Sequence, residues 1–313
     1  MKLGDIKTVG ICGIGQMGSA CAVAFRRAGY RVLLWARDAE KLKGVRSSWE
    51  DMEAWGDENT DDVVASHGEI VLQPDLSVLD AHAHVVLDCI IEVLDDKVEL
   101  LNRFVQANQR DTLFLSATSA LPITEMAERT GLQAKLVGAH FWNPPHLIPV
   151  VEMVQGDQTP ETMVVLSCEL MQRIGKVPVV CKDVPGFVGN RLLHAMWREA
   201  LHMVEEGVCS AADVDKITRL TFALRLPLLG PMENMDYVGL DATERLQRYM
   251  APRLANNTEP AKCLTDMLAA GDLGVKSGQG FYDWSQRDIS DVLRKRDAQV
   301  VQQIKFLREL GEL

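Results

Sequence analysis

The chain has 313 residues, 47% of them hydrophobic and 25% charged, which is too long for one ordinary core and fits two folded domains rather than a disordered chain. A formal net charge of −11 with no basic stripe argues against a nucleic-acid partner, and no apolar run is long enough for a transmembrane helix. The seven cysteines are scattered with no Cys-x-x-Cys, and Met1–Asp5 has no signal-peptide character, so reduced thiols and a cytoplasmic location are expected.

In the first half, short apolar segments alternate with amphipathic ones. Thr8–Cys12 reads as a strand, Gly15–Ala28 as a helix, Arg31–Trp35 as a strand and Asp38–Ala54 as a helix. His82 and His84 form the only close histidine pair, at the entry to an apolar run, and read as a surface turn; no metal site is expected. Then come strands at Val85–Cys89, Thr112–Ser116, Leu136–Phe141, Leu147–Val154 and Val177–Cys181, with helices at Asp95–Gln109, Pro122–Arg129 and Glu161–Ile174. Nearly continuous apolar strands separated by helices predict a mostly parallel sheet covered on both faces. At Lys182-Asp183-Val184-Pro185-Gly186 proline and glycine break the pattern. Beyond it the apolar period is helical, over Phe187–Glu206, Ala211–Leu224, Thr243–Met250 and Asp291–Leu310. The fold class expected is α/β, a Rossmann-type domain over 1–184 followed by a smaller all-helical domain over 185–313.

Gly13-Ile14-Gly15-Gln16-Met17-Gly18 lies between the first strand and the first helix. The first glycine permits the tight turn, the second admits a pyrophosphate against backbone, and the third lets helix and strand pack closely. The helix N-terminus, at Gln16 and Met17, offers unpaired N–H groups to phosphates. Strand, turn, helix and next strand follow in the right order, so a nicotinamide dinucleotide is expected here.

An acid usually ends the second strand of an NAD site and holds the ribose hydroxyls. Here Ala36 stands at that position and Arg37 follows it. A small residue plus a forked cation suits a 2′-phosphate, which tips the expectation from NAD slightly toward NADP. The alternative is that Arg37 is solvated while Asp38 caps the next helix, or reaches the ribose if the strand ends later.

The blocks Val9–Gly18, Ile91-Glu92, Thr118-Ser119, Gly138–Glu152, Asp183–Arg191, Leu229–Glu233 and Gly274–Tyr282 carry a resemblance over essentially the whole chain to the 3-hydroxyacyl-CoA dehydrogenase family. The resemblance implies His140, in His140-x-x-Asn143-Pro144, as the catalytic histidine, Glu152 as its paired acid, Ser119 as a hydroxyl to the substrate oxygen and Asn190 as the amide completing the site. It also implies that Glu92, Lys97, Asn143 and Lys276 line the cofactor, and that the helical domain closes the substrate cleft and forms a homodimer. Within the family, Asn143–Pro149 looks closest to the branch with L-gulonate dehydrogenase/lambda-crystallin and the formylpyridine-carboxylate dehydrogenase of pyridoxine breakdown. Two departures stand out. Ala117-Thr118-Ser119-Ala120 replaces the family's Asn-Thr-Ser-Ser. The stretch Trp49–Asp62 is short and acidic where acyl-CoA members carry a lysine-rich helical pair, and such a surface repels a polyanionic CoA head unless other residues hold it.

These residue types suit alcohol oxidation. Imidazole titrates near neutral pH, and a carboxylate on its other nitrogen fixes the tautomer and stabilises the imidazolium. His140 and Glu152 fall on consecutive predicted strands, so they can meet. His146 either touches a substrate carboxylate or lines the cleft, Trp142 and Trp197 read as packing, and Arg191 pairs with a substrate acid or a core carboxylate. The expectation is an NAD(P)-dependent dehydrogenase acting on a small hydroxy acid. The alternatives are a 3-hydroxyacyl-CoA substrate, or a non-catalytic cofactor-binding protein of the crystallin kind.

Overall fold

A computed structural model describes residues 1–59, 67–107 and 110–313. The chain divides into two units, Met1–Arg191 and Leu192–Leu313. Among the described residues of the first, eight strands form one sheet: β1 (Thr8–Cys12), β2 (Arg31–Trp35), β3 (Ile70–Gln73), β4 (Val85–Asp88), β5 (Leu113–Ser116), β6 (Leu136–Phe141), β7 (Val150–Gln155) and β8 (Val177–Lys182). Their spatial order is β3-β2-β1-β4-β5-β6-β7-β8. All neighbours run parallel except β6 and β7, which pair antiparallel. Between the strands run α1 (Gln16–Arg27), α2 (Ala39–Asn59), α3 (Leu76–His82), α4 (Leu94–Ala107), α5 (Ile123–Thr130) and α6 (Glu161–Arg173).

The apolar strands are buried because helices cover both faces of the sheet. One face packs Val9, Ile11, Leu34, Leu87 and Leu115 with Phe25 of α1 and Leu170 of α6. The other packs Cys12, Leu33 and Val86 with Leu79 of α3 and Leu101 of α4. Alternate residues of one strand thus serve two cores, which is why the strands read as continuous apolar runs.

The second unit is helical: most of α7 (Gly189–Glu205), α8 (Ala211–Leu220), α9 (Pro231–Val238), α10 (Leu240–Met250), α11 (Lys262–Ala270) and α12 (Ile289–Leu310). Ser210 and Asp288 cap α8 and α12 through side-chain oxygens that accept from backbone N–H groups. The α/β class and the helical second half are as the sequence predicted. Some bounds differ. β3, α3, α9 and α11 are additional elements. α7 starts two residues later than expected, because Gly186 and Phe187 both have positive φ, 74° and 49°. The predicted helix to Leu224 ends at Leu220 and gives way to a short 3₁₀ turn. Among the described residues no helix is long and apolar enough to cross a membrane.

Candidate active site

The glycine-rich turn closes the C-terminal end of β1. Gly13 has φ 118°, and a Cβ there would lie 2.5 Å from the Cys89 carbonyl oxygen. A Cβ on Gly18 would lie 2.0 Å from the Gly13 carbonyl oxygen, so only glycine lets α1 sit this close to the turn. Gly15 has open space where a Cβ would stand. These are the three separate demands a pyrophosphate cradle makes. A cavity of about 420 Å³ opens from it, lined by Gly13–Met17, by Trp35–Arg37 and by Cys89–Ile91. Its far wall is α4, through Asp96, Glu99, Leu100 and Arg103. The shape and the glycine cradle fit a dinucleotide.

At the end of β2, Trp35 is in register with Cys12 and its carbonyl accepts from Gly13 N–H. Ala36 is buried, whereas the Arg37 side chain is 82% exposed and 4.0 Å from Asp96. Asp38 turns its carboxylate onto α2, where Oδ1 accepts from the N–H groups of Glu40 and Lys41. It therefore caps the helix and does not line the cavity. Sequence reasoning missed Arg103, which lies over the Trp35 ring and lines the same wall.

On the other side of the sheet's C-terminal edge, antiparallel pairing sets His140 directly opposite Glu152. His140 Nδ1 is 2.7 Å from Glu152 Oε2, and both residues are 4% exposed. The ionised carboxylate accepts at this distance, so Nδ1 carries the proton and Nε2 is left as the basic nitrogen. Glu152 Oε2 also accepts from the Trp142 indole at 3.2 Å. Glu152 Oε1 accepts from the backbone N–H groups of Val188 and Gly189 at 2.9 and 3.0 Å. Burial pushes the Glu152 carboxyl up, but the bonds from His140, Gly189 and Val188 outweigh it and hold the pKa down at about 2. The acid is thus ionised and saturated. A Cβ on Gly189 would fall 2.3 Å from the Trp142 ring, so glycine is what lets the start of α7 approach the carboxylate.

Asn190 follows at once, and its Nδ2 donates to the Ser119 carbonyl at 3.0 Å. Ser119, in the exposed turn after β5, is thereby tied to the same helix start that binds Glu152. Asn143 is exposed after β6. Gly13, Gly15, Gln16, Met17 and Arg37 line the dinucleotide cavity. Glu92 bonds the Thr118 hydroxyl and the N–H of Ser119, and Lys97 is buried against Asp88. Lys276 belongs to the second unit, where it lines a separate cavity of about 680 Å³ with Trp197, Leu201, Leu268, Phe281 and Trp284. Trp142, read from sequence as packing, binds the catalytic candidate Glu152. Of the backbone donors, Val188 left no signal in residue type, whereas Gly189 is a glycine because the Trp142 ring leaves no room for a Cβ. His84 Nδ1 accepts from Thr8 N–H, and no metal-binding cluster occurs among the described residues. Of the acidic stretch, Trp49 is buried, Glu53 pairs with Arg26, and Glu50 and Asp51 are exposed; Thr60, Asp61 and Asp62 lie outside the described residues.

Comparison with known proteins adds the family. Residues 8–184 match the 3-hydroxyacyl-CoA dehydrogenase NAD binding domain, and residues 186–284 match the C-terminal domain of the same family. A 5-formyl-3-hydroxy-2-methylpyridine 4-carboxylate 5-dehydrogenase from Mesorhizobium japonicum is 29% identical over 95% of this chain and 96% of its own length. A probable 3-hydroxybutyryl-CoA dehydrogenase from Deinococcus radiodurans is 33% identical over 88% of this chain and 99% of its own. A crystal structure of a 5-formyl-3-hydroxy-2-methylpyridine 4-carboxylic acid 5-dehydrogenase, named an NAD⁺-dependent dismutase, superposes with a TM-score of 0.92. It shares 28% identity and covers 97% of this chain and 99% of that one.

Proposed function

Since the chain belongs to the 3-hydroxyacyl-CoA dehydrogenase family, we propose that it oxidises the hydroxyl of a small, free hydroxy acid, with His140 as general base. The observation that carries this is the His140–Glu152 pair, which leaves Nε2 basic beside a saturated carboxylate. The chain is an oxidoreductase acting on a CH–OH group, with an NAD-binding domain. Gly13, Gly15, Gln16 and Met17 would hold the dinucleotide, whose nicotinamide would supply the hydride acceptor for the carbinol carbon. His140 Nε2 takes the hydroxyl proton, Glu152 balances the imidazolium that forms, and the hydroxyl of Ser119 with the amide of Asn190 polarises the same oxygen. In the reverse direction His140 returns the proton to the carbonyl.

The free-acid reading is supported by exposed Glu50 and Asp51 on α2, and by the likeness to a dehydrogenase whose name carries a pyridine carboxylate and no CoA. The Deinococcus relative favours the second reading, a 3-hydroxyacyl-CoA substrate. A panel of acetoacetyl-CoA, gulonate and hydroxypyridine carboxylic acids, each followed at the nicotinamide absorbance, separates them. The free-acid reading expects turnover on an acid and little on acetoacetyl-CoA; efficient use of acetoacetyl-CoA overturns it. Cofactor binding with no turnover on any member of the panel favours the non-catalytic alternative.

The finer cofactor reading is that NADP serves at least as well as NAD. Asp38 is engaged in capping, Ala36 offers no carboxylate, and Arg37 and Arg103 both line the cavity into which Ala36 opens. Lys276 and Asn143 are assigned to the cofactor from the family resemblance, with Gly13, Gly15, Gln16, Met17, Gly18, Glu92 and Lys97. The cytoplasm is the proposed location.

The chain is further proposed to act as a homodimer built on the helical unit, which also contributes to the substrate cleft. In that unit Tyr237, Met232, Val208, Leu224 and Leu240 are exposed, and an apolar cavity stands open among its helices. Exposed apolar surface on this scale marks an association face. Light scattering at working concentration is expected to give a dimer, and a monomer overturns the assignment.

A further inference from the structure

Asp88, at the last position of β4, is fully buried, and so is Lys97 on the first turn of α4. Lys97 Nζ donates to Asp88 Oδ2 at 2.9 Å, and the buried Ser116 hydroxyl donates to the same oxygen at 2.9 Å. Asp88 Oδ1 accepts from Ile90 N–H at 3.0 Å. The ammonium is shared: its Nζ lies 3.6 Å from Glu92 Oε2 and reaches the Ile90 carbonyl at 3.4 Å. The second oxygen of Glu92 then holds the turn after β5, accepting from the Thr118 hydroxyl at 2.6 Å, Ser119 N–H at 2.7 Å and Ala120 N–H at 3.3 Å. The Thr118 hydroxyl in turn accepts from Leu121 N–H at 2.9 Å.

A buried ion pair is weak evidence for stability, because desolvation offsets the attraction between the charges. What it does supply is a fixed geometry. Lys97 sits between two carboxylates, one fully buried and one at the surface. Its hold on Asp88 fixes where the ammonium stands, and so where Glu92 can rest. Asp88 itself is absent from the cavity wall, although Cys89, Ile90 and Ile91 line it. We propose that Asp88 is a positioning residue: acting through Lys97 and Glu92, it sets the backbone of Thr118–Ala120 and thereby aims the Ser119 hydroxyl. This rests on the reading of Ser119 as a substrate contact.

Glu92 Oε1 holds three donors of this turn, while the Asn190 amide holds the Ser119 carbonyl from the other side. Asp88→Asn removes the charge that anchors Lys97, and the ammonium then draws on Glu92 alone. Hydrogen exchange reads this without any substrate. Peptides over residues 117–121 are expected to exchange at least about tenfold faster in Asp88→Asn, with β1 peptides unchanged. Unchanged exchange at 117–121 overturns the proposal, as does an equal rise everywhere. Kinetics on the best substrate of the panel give the second readout. Asp88→Asn is expected to lower kcat about tenfold or more, and to add no further loss in a Ser119→Ala background. Losses that multiply, or a Ser119→Ala variant with wild-type kcat, overturn it. If Asp88→Asn does not fold, Glu92→Gln, at a more exposed position, is put through the hydrogen-exchange measurement, without dinucleotide, with the same outcomes. The His140→Ala variant keeps the two readings apart: full activity there removes the general base from the proposed function, while the exchange result still decides the role of Asp88.

Discussion

The two units of this chain are built on opposite terms. In Met1–Arg191 each apolar strand is shared between two cores, and Leu34, Leu87 and Leu115 have no exposed surface at all. In Leu192–Leu313, Val301 is the one buried hydrophobic residue, although α8 and α12 are capped by Ser210 and Asp288. Local helix signals are therefore satisfied in both, but burial is satisfied in one. Most helical stability in proteins comes from packing an apolar face, so the second unit has the sequence of a folded domain without the enclosure of one. The lesson is that the same local helix signals accompany an enclosed core in one unit and open apolar surface in the other.

The largest test of this division is His140→Ala. Removing a general base costs about two to four orders of magnitude in turnover, while dinucleotide binding persists because the cavity's lining is untouched. Near-normal turnover in the variant removes His140 from the mechanism. Next is a cavity in the enclosed core: Leu34→Ala is expected to destabilise the first unit by about 2–5 kcal/mol at every protein concentration, measured by denaturant unfolding. A cost below about 1 kcal/mol contradicts the core described here.

An acid titration probes the site within that core. The folded Glu152 carboxyl sits at about 2, below its usual 4.5. Its contribution is present above the usual value and is lost as pH falls from there through about 2, on the order of 2–3 kcal/mol. Glu152→Gln is expected to flatten that part of the stability profile, and an unchanged acid limb shows that other carboxylates set it.

Cofactor choice comes next. Arg37→Ala should weaken NADP selectively by about one to two decades, the worth of a charge-assisted bond of roughly 1.5–3 kcal/mol, and Ala36→Asp should move preference toward NAD. A strong NAD preference in the unaltered protein breaks this reading. The smallest effect sharpens the comparison itself. Unfolding of the helical unit should depend on protein concentration, by about 1.4 kcal/mol per tenfold dilution, whereas that of the first unit should not. A concentration-independent transition for both units counts against the homodimer.

Much of this was legible in the sequence because the signals were local. Thr8–Cys12 and Arg31–Trp35 occupy the expected positions, and the glycine spacing fixed the cradle in advance. β3 was not read, since Ile70–Gln73 is four residues long and only half-buried at the sheet's edge. α9 and α11 are eight and nine residues with no buried side chain, too short for the apolar period to stand out. At the site, His140 and Glu152 were legible through the family resemblance, in the motif His140-x-x-Asn143-Pro144 and the valines before Glu152. Their orientation was not legible: it depends on an antiparallel register, on an indole that looked like filler, and on the N–H groups of Val188 and of Gly189, whose need to be glycine shows only once Trp142 is packed against it. Asp88 was passed over because an acid ending a strand is ordinary until its neighbours are known.

The two N–H groups that bind Glu152 have a practical consequence for anyone recombining this chain. They belong to Val188 and Gly189, beyond the Val184 at which the dinucleotide-binding match ends. A chimera spliced at that seam would exchange two donors to the Glu152 carboxylate along with the helices, even if every side chain up to Val184 were retained. The safe splice lies further along α7, past Asn190, where the chain no longer touches the carboxylate. In this architecture the joint between modules is inherited as a working part.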